Sequence, residues 1–260
     1  MVRAIELVAR MVPGGVVERM GGLTAVRTGM PGSGFNVVFG LNRPESIVEV
    51  REGIERLFLR TETEFQIVTL PETYEELEHV VRELNLTEKE VLPGMVLDPI
   101  PSAFPDPPKE LQVRQVASSQ EVTDLLRTGA LGFGAPPSYF EVWSRAILAD
   151  IADRRSETAS YVGYVDGTPV ATSLRFTTGD VAGIYFVSTI PAFRNRGFGE
   201  AMAWRAVADG RAAGCKLSCL QASRMGRSIY ERMGYRVFAE YSEWKKAGPR
   251  PTNDLIGVLQ

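Results

Sequence analysis

Arg194-Asn195-Arg196-Gly197-Phe198-Gly199 stands between an apolar strand-like run, Val181 to Thr189, and a segment with helical periodicity. A glycine pair at such a junction lets the backbone turn tightly and approach a ligand without interference from Cβ atoms. The first amides of the following helix have no partner within it, and the helix dipole is positive at that end. The junction therefore suits an anion such as a pyrophosphate. Arg194 and Arg196 add positive charge at its mouth. Close helix packing alone would explain the glycines but not the arginines.

Downstream, Gly199, Met202, Ala203, Ala206 and Val207 form the stripe of a helix packed on a sheet. Leu217 to Gln221 reads as a buried strand. A shorter helix carrying Met225, Ile229 and Met233 stops at Gly234, and Tyr235 to Trp244 returns as a strand. Upstream, Tyr161 to Val165 meets Pro169 to Phe176 across Asp166-Gly167, and Gly179-Asp180 turns the chain into Val181 to Thr189, so these strands are antiparallel neighbours. Leu111 to Val116 reads as a strand, followed by helices at Ser119 to about Thr128 and Ser138 to about Arg154, with the loop Gly132 to Pro137 between them. The antiparallel turns argue against a dinucleotide-binding reading of Gly197-Phe198-Gly199, which needs a parallel βαβ unit.

Arg194, Gly197 and Gly199 fill the motif of the GNAT superfamily of N-acetyltransferases: Gln or Arg, two variable positions, Gly, one variable position, then Gly or Ala. The element order over residues 111 to 246 resembles that family too. The resemblance implies an α/β acyl-CoA N-acyltransferase fold with acetyl-CoA as cosubstrate. Its pyrophosphate would lie on Arg194, Asn195, Arg196, Gly197, Phe198, Gly199 and Glu200, and its pantetheine arm would pair with the backbone of Val187, Ser188 and Thr189 on a splayed strand. The segment Ser223 to Tyr235 is similar to the family's next motif. It implies that Tyr230 is the catalytic acid for the departing CoA thiolate and that Ser223 is a helix N-cap in reach of CoA. A tyrosine packed on the helix flank is the plain alternative.

A general base is harder to find, because the only histidine is His79. Ser188, Tyr185 and ordered water remain near the expected site, and direct attack by the amine suits their weakness. Phe133, Tyr139, Phe140 and Trp143 read either as a wall of the acceptor pocket or as core, and Glu141 hints at a cationic amine. The acceptor is expected to be a small-molecule or peptide amine. A noncatalytic acyl-CoA sensor is the alternative from another class.

The rest of the chain sets limits. Among 260 residues, 44% hydrophobic and 23% charged positions exclude a disordered or collagen-like chain. The net charge of -3 hides an acidic first part, with 11 basic and 18 acidic residues up to residue 110, and a basic remainder. Five prolines between Asp98 and Glu110 mark a boundary. The expected domains are residues 1–98, a degenerate GNAT-like half-module; 99–110, a linker; and 111–260, the catalytic domain. Between the second strand and first helix of the half-module stands Gly40 to Ser46, without a glycine pair and with Glu45 at the helix start, so no CoA is expected there. Cys215 and Cys219 read as buried thiols, and with one histidine they make no metal site. No nucleic acid or membrane partner is expected; the location is expected to be cytoplasmic, and a homodimer is left open.

Overall fold

The computed structural model describes residues 2–30, 32–134 and 157–246. They form two compact units, one from residues 1–13 and 92–240, the other from residues 14–91 and the chain from Tyr241 onward. The elements in order are α1 (Val2–Met11), β1 (Val16–Met20), β2 (Leu23–Arg27), β3 (Asn36–Gly40), α2 (Ile47–Ile54), β4 (Gln66–Thr69), α3 (Pro71–Glu83) and β5 (Glu88–Leu97). There follow β6 (Gln112–Gln115), α4 (Ser119–Phe133), β7 (Thr158–Val165), β8 (Thr168–Thr178), β9 (Val181–Thr189), α5 (Phe198–Ala212), β10 (Leu217–Gln221), α6 (Arg227–Arg232) and β11 (Arg236–Lys245).

In the larger unit β6, β7, β8 and β9 are successive antiparallel neighbours, β9 pairs with β10 in parallel, and β10 pairs antiparallel with the end of β5. The turn chemistry accounts for the hairpins: Asp166 and Gly167 both take positive φ (49° and 77°), as a tight two-residue hairpin requires. Helix α5 buries Met202, Ala203, Ala206 and Val207, the stripe expected of it, in a core that also holds Ile184, Phe198, Leu220 and Tyr230.

The smaller unit repeats this pattern on a reduced scale. Its strands β1, β2 and β3 are antiparallel, β3 pairs with β4 in parallel, and β4 pairs antiparallel with Ser242–Lys245 of β11. Val38, Ile54, Phe58, Ile67 and Leu77 lie in its core. The strand ending the first half of the chain thus completes the larger unit, and the strand ending the second half completes the smaller one. A single cut at the prolines does not describe these units. Val8 and Ala9 of α1 are buried, and α1 falls with the larger unit rather than the smaller.

Residues 99–110, expected as a linker, form a strap along α5. The carbonyl of Ile100 accepts from Nη1 of Arg211 at 2.9 Å, near the end of the helix. The ring of Phe104 meets Trp204 edge-on at 5.7 Å, in the middle of the helix. Pro108 lies within 3.6 Å of where a Cβ on Gly197 would stand, and Glu110 pairs with Arg196 at 2.9 Å, both at the helix start. Prolines that forbid helix and strand leave an extended arm that docks by side chains.

Three local readings are corrected. Helix α4 continues through Gly132 to Phe133 and ends at Gly134, which takes the left-handed conformation of a helix C-cap. Strand β5 spans Glu88–Leu97, where the sequence alone marks a strand only around Gly94 to Leu97. Neither α1 nor β1 was expected. The expected helix at Ser138 to Arg154, with Tyr139, Phe140, Glu141 and Trp143, lies outside the described residues.

Candidate active site

Strand β9 carries a bulge. Thr172 faces Ser188, but Leu174 faces Tyr185, so β9 holds one residue more than β8 between the two pairs, and Phe186 takes a positive φ of 55°. Helix α4 approaches this bulge through two glycines. A Cβ on Gly129 would stand 2.2 Å from Cζ of Phe186, and one on Gly132 would stand 2.6 Å from Oγ of Ser188. No other residue type permits that approach. The ring of Phe133, at the end of the same helix, stands 5.3 Å from the Phe186 ring.

Just before the bulge, after Gly183, β9 parts from β10. Their parallel ladder holds Val181, Ala182 and Gly183 opposite Leu217, Ser218 and Cys219 and goes no further, although β9 runs to Thr189 and β10 to Gln221. Val187, Ser188 and Thr189, the residues expected to meet a pantetheine arm, all lie on the parted portion. Ser188 is not available as a base: its Oγ is 2.8 Å from Thr172 Oγ1, it is buried, and Gly132 covers it.

The chain then passes Pro191–Phe193, a single 3-10 turn, into the glycine loop. Asn195 and Gly197 both take positive φ, 61° and 79°. Gly197 is the N-cap of α5, and among the described residues no side chain caps the helix. Position 199 lies against the parted strand, for a Cβ there would stand 3.5 Å from Thr189 Oγ1. The helix start thus offers its first amides beside the end of β9, and Phe198, buried in the core, anchors it. Glu200 pairs loosely with Arg232 at 3.7 Å.

The two arginines of the loop do different work. Arg194 donates from Nε to the Thr189 carbonyl at 3.1 Å and from Nη2 to the Gly132 carbonyl at 2.8 Å, which ties the loop to the end of α4. Its side chain is engaged by protein carbonyls. Arg196 lies over the rings of Phe193 and Phe198, 5.2 and 4.9 Å from their centroids, and pairs with Glu110. Sequence reasoning missed Glu110 because it stood in a presumed linker. Gly132 reads as loop in the sequence, which hides the two α4 glycines; their three-residue spacing on one helical face is the available signal.

Tyr230 lies on α6 and is 9% exposed. Its ring meets that of Tyr235 edge-on at 5.8 Å, and the Tyr235 hydroxyl is 2.7 Å from Ser218 Oγ, next to the last rung of the β9–β10 ladder. Burial pushes the Tyr230 phenol up to about 12. Ser223 does not cap α6. Its Oγ accepts from the Gly226 amide at 3.2 Å and closes the turn before the helix, whose own N-cap is Gly226.

The smaller unit lacks these features at the matching place. The ladder of β3 with β4 extends to the last residue of β3, Gly40 opposite Thr69. Helix α2 is capped by the Ser46 side chain, which accepts from the Glu49 amide, and the Glu49 carboxylate accepts from the Gly21 amide at 3.1 Å.

Residues 108–225 match the family model for the Acetyltransferase (GNAT) domain. The chain carries a GNAT acetyltransferase domain. The matched span holds the bulge, the parted strand and the glycine loop, and it ends before Tyr230. Among solved structures, the chain is similar to a GCN5-related N-acetyltransferase from Kribbella flavida, with 19% identity, a TM-score of 0.69 and 96% of each chain covered. It is also similar to a GCN5-related N-acetyltransferase from Sphaerobacter thermophilus, with 18% identity and a TM-score of 0.65 over 87% of this chain and 77% of that one. A functionally unknown conserved protein from Staphylococcus epidermidis matches with 16% identity and a TM-score of 0.58, over 90% of this chain and 94% of that one. At these identities the likeness establishes the GNAT fold. No curated protein matches the sequence. Among the described residues no group of three His, Cys, Asp or Glu could hold a metal, and no helix is long and apolar enough to cross a membrane.

Proposed function

We propose that this protein transfers the acetyl group of acetyl-CoA to a primary amine within a ternary complex. One observation carries the reading: the parted end of β9 and the uncapped, glycine-led start of α5 lie side by side in the larger unit. The residues fit the cosubstrate. The helix start has amides for a pyrophosphate, Gly197 and Gly199 keep its approach open, and the strand end has backbone groups for an extended amide-bearing arm. Acetyl-CoA supplies the activated thioester.

The chain's own contribution is position and polarity. Backbone amides of β9 polarise the carbonyl under attack, and the close approach of α4 fixes the bulge that aims them. The amine attacks in its neutral form and gives up a proton to water as the C–S bond breaks and the amide forms. Tyr230, protonated at every physiological pH, donates toward the leaving thiolate. The smaller unit, with its capped helix and closed ladder, takes no CoA and supports the fold.

A screen of amines against acetyl-CoA, followed by free-thiol release and mass analysis of the product, tests this reading. Stimulation by at least one amine, with the matching amide formed, is expected. Tight acetyl-CoA binding with no stimulation by any amine overturns it in favour of an acyl-CoA sensor.

A further inference from the structure

Glu110 sits where an incoming phosphate would compete for Arg196. The guanidinium of Arg196 lies over two rings, Phe193 and Phe198, and the second ring is buried, which places the cation at the start of α5. Its hydrogen-bonding fork meets the Glu110 carboxylate at 2.9 Å. Glu110 is the last residue of the strap, and both side chains of the pair are about half exposed, at 46% and 43%. The strap holds Glu110 there, because Ile100, Phe104 and Pro108 are docked in turn along α5.

We infer that Glu110 is an affinity-setting residue: its carboxylate occupies Arg196 in the free protein and is displaced by a phosphate of CoA. Of the two partners, the carboxylate is the one that yields, since Arg196 keeps its ring contacts after the exchange. An exposed ion pair is weak, and a phosphate carries more charge and more acceptor oxygens than a carboxylate, so the exchange favours the phosphate. Glu110 therefore lowers the affinity for CoA without blocking it and helps CoA leave. The inference rests on the proposed CoA site.

The test is the dissociation constant of CoA, by calorimetry at fixed ionic strength, for the wild type, Glu110→Gln, Arg196→Gln and the double variant. Both residues of the cycle are at the surface, and matched thermal melts of the four proteins check folding. Glu110→Gln is expected to tighten binding about two- to fivefold, Arg196→Gln to weaken it by about tenfold, and Glu110→Gln to change it less than about twofold when Arg196 is already replaced. Unchanged or weaker binding in Glu110→Gln overturns the inference. An equal gain in both backgrounds also overturns it, because the carboxylate would then act by general repulsion and not by holding Arg196. If the wild type itself fails to bind CoA, the proposed site falls, and the inference falls with it.

Discussion

Arg194 donates to the carbonyl oxygen of Gly132 at 2.8 Å, joining the glycine loop to the last turn of α4 across 62 positions of sequence. With its second bond, to Thr189, it clamps the end of β9, the loop and the helix at one point. The motif arginine is thus a joint of the fold.

Replacing Arg194 by alanine or by lysine is expected to cost similar stability, about 1–2 kcal/mol, since an ammonium cannot reach both carbonyls in the planar fork of a guanidinium. Chemical denaturation of the two variants checks this. If lysine restores wild-type stability, the clamp is only a matter of charge.

The α4 glycines make a second expectation. Alanine at position 129 gains helix propensity, about 1 kcal/mol, but drives a methyl to 2.2 Å from Phe186, whose backbone is fixed in the bulge. Overpacking wins, with a net loss of about 1–2 kcal/mol. A melt of Gly129→Ala should fall several degrees below the wild type, and the acetyl transfer rate should fall with it as the bulge shifts.

Tyr230→Phe is expected to lower kcat about 100-fold while leaving the acetyl-CoA dissociation constant within about twofold. The low end of the range for acid catalysis applies because burial has made the phenol a weak acid. Steady-state kinetics alongside calorimetry separates this from mere packing, which would alter binding as well.

The same burial fixes the sign of the pH dependence. Tyr230 holds its proton in the folded state until about 12, against an ordinary value of 10.0, so its contribution to stability is complete below pH 10 and is lost as pH rises from 10 through 12. Activity should rise with pH as the amine acceptor loses its proton and should show no alkaline limb from this residue below about pH 11. A pH–rate profile with a falling limb near 9 would remove Tyr230 from the acid role.

Much of the architecture was legible where local chemistry decides it. The strands Val181–Thr189 and Leu217–Gln221 match the sequence reading residue for residue, because glycine turns and a helix start bound them. Tertiary context decided the rest. Gly132 reads as a breaker, yet it is helical because only a bare backbone fits against Ser188. The prolines of residues 99–110 read as a spacer, and only the rings and carbonyls along α5 turn them into a strap. The exchange of final strands between the units leaves no local mark. The glycine loop was legible as a tight turn into a helix, but the contacts of its arginines depend on partners distant in sequence, Gly132 and Glu110.

Titration of the intact protein with acetyl-CoA tests the central claim, that one site per chain lies between the parted end of β9 and the start of α5. One equivalent should bind, and Gly199→Val should weaken it at least about tenfold with the melting temperature little changed, because the branched side chain fills the space beside Thr189. Two equivalents, none, or undiminished binding by Gly199→Val would contradict the account.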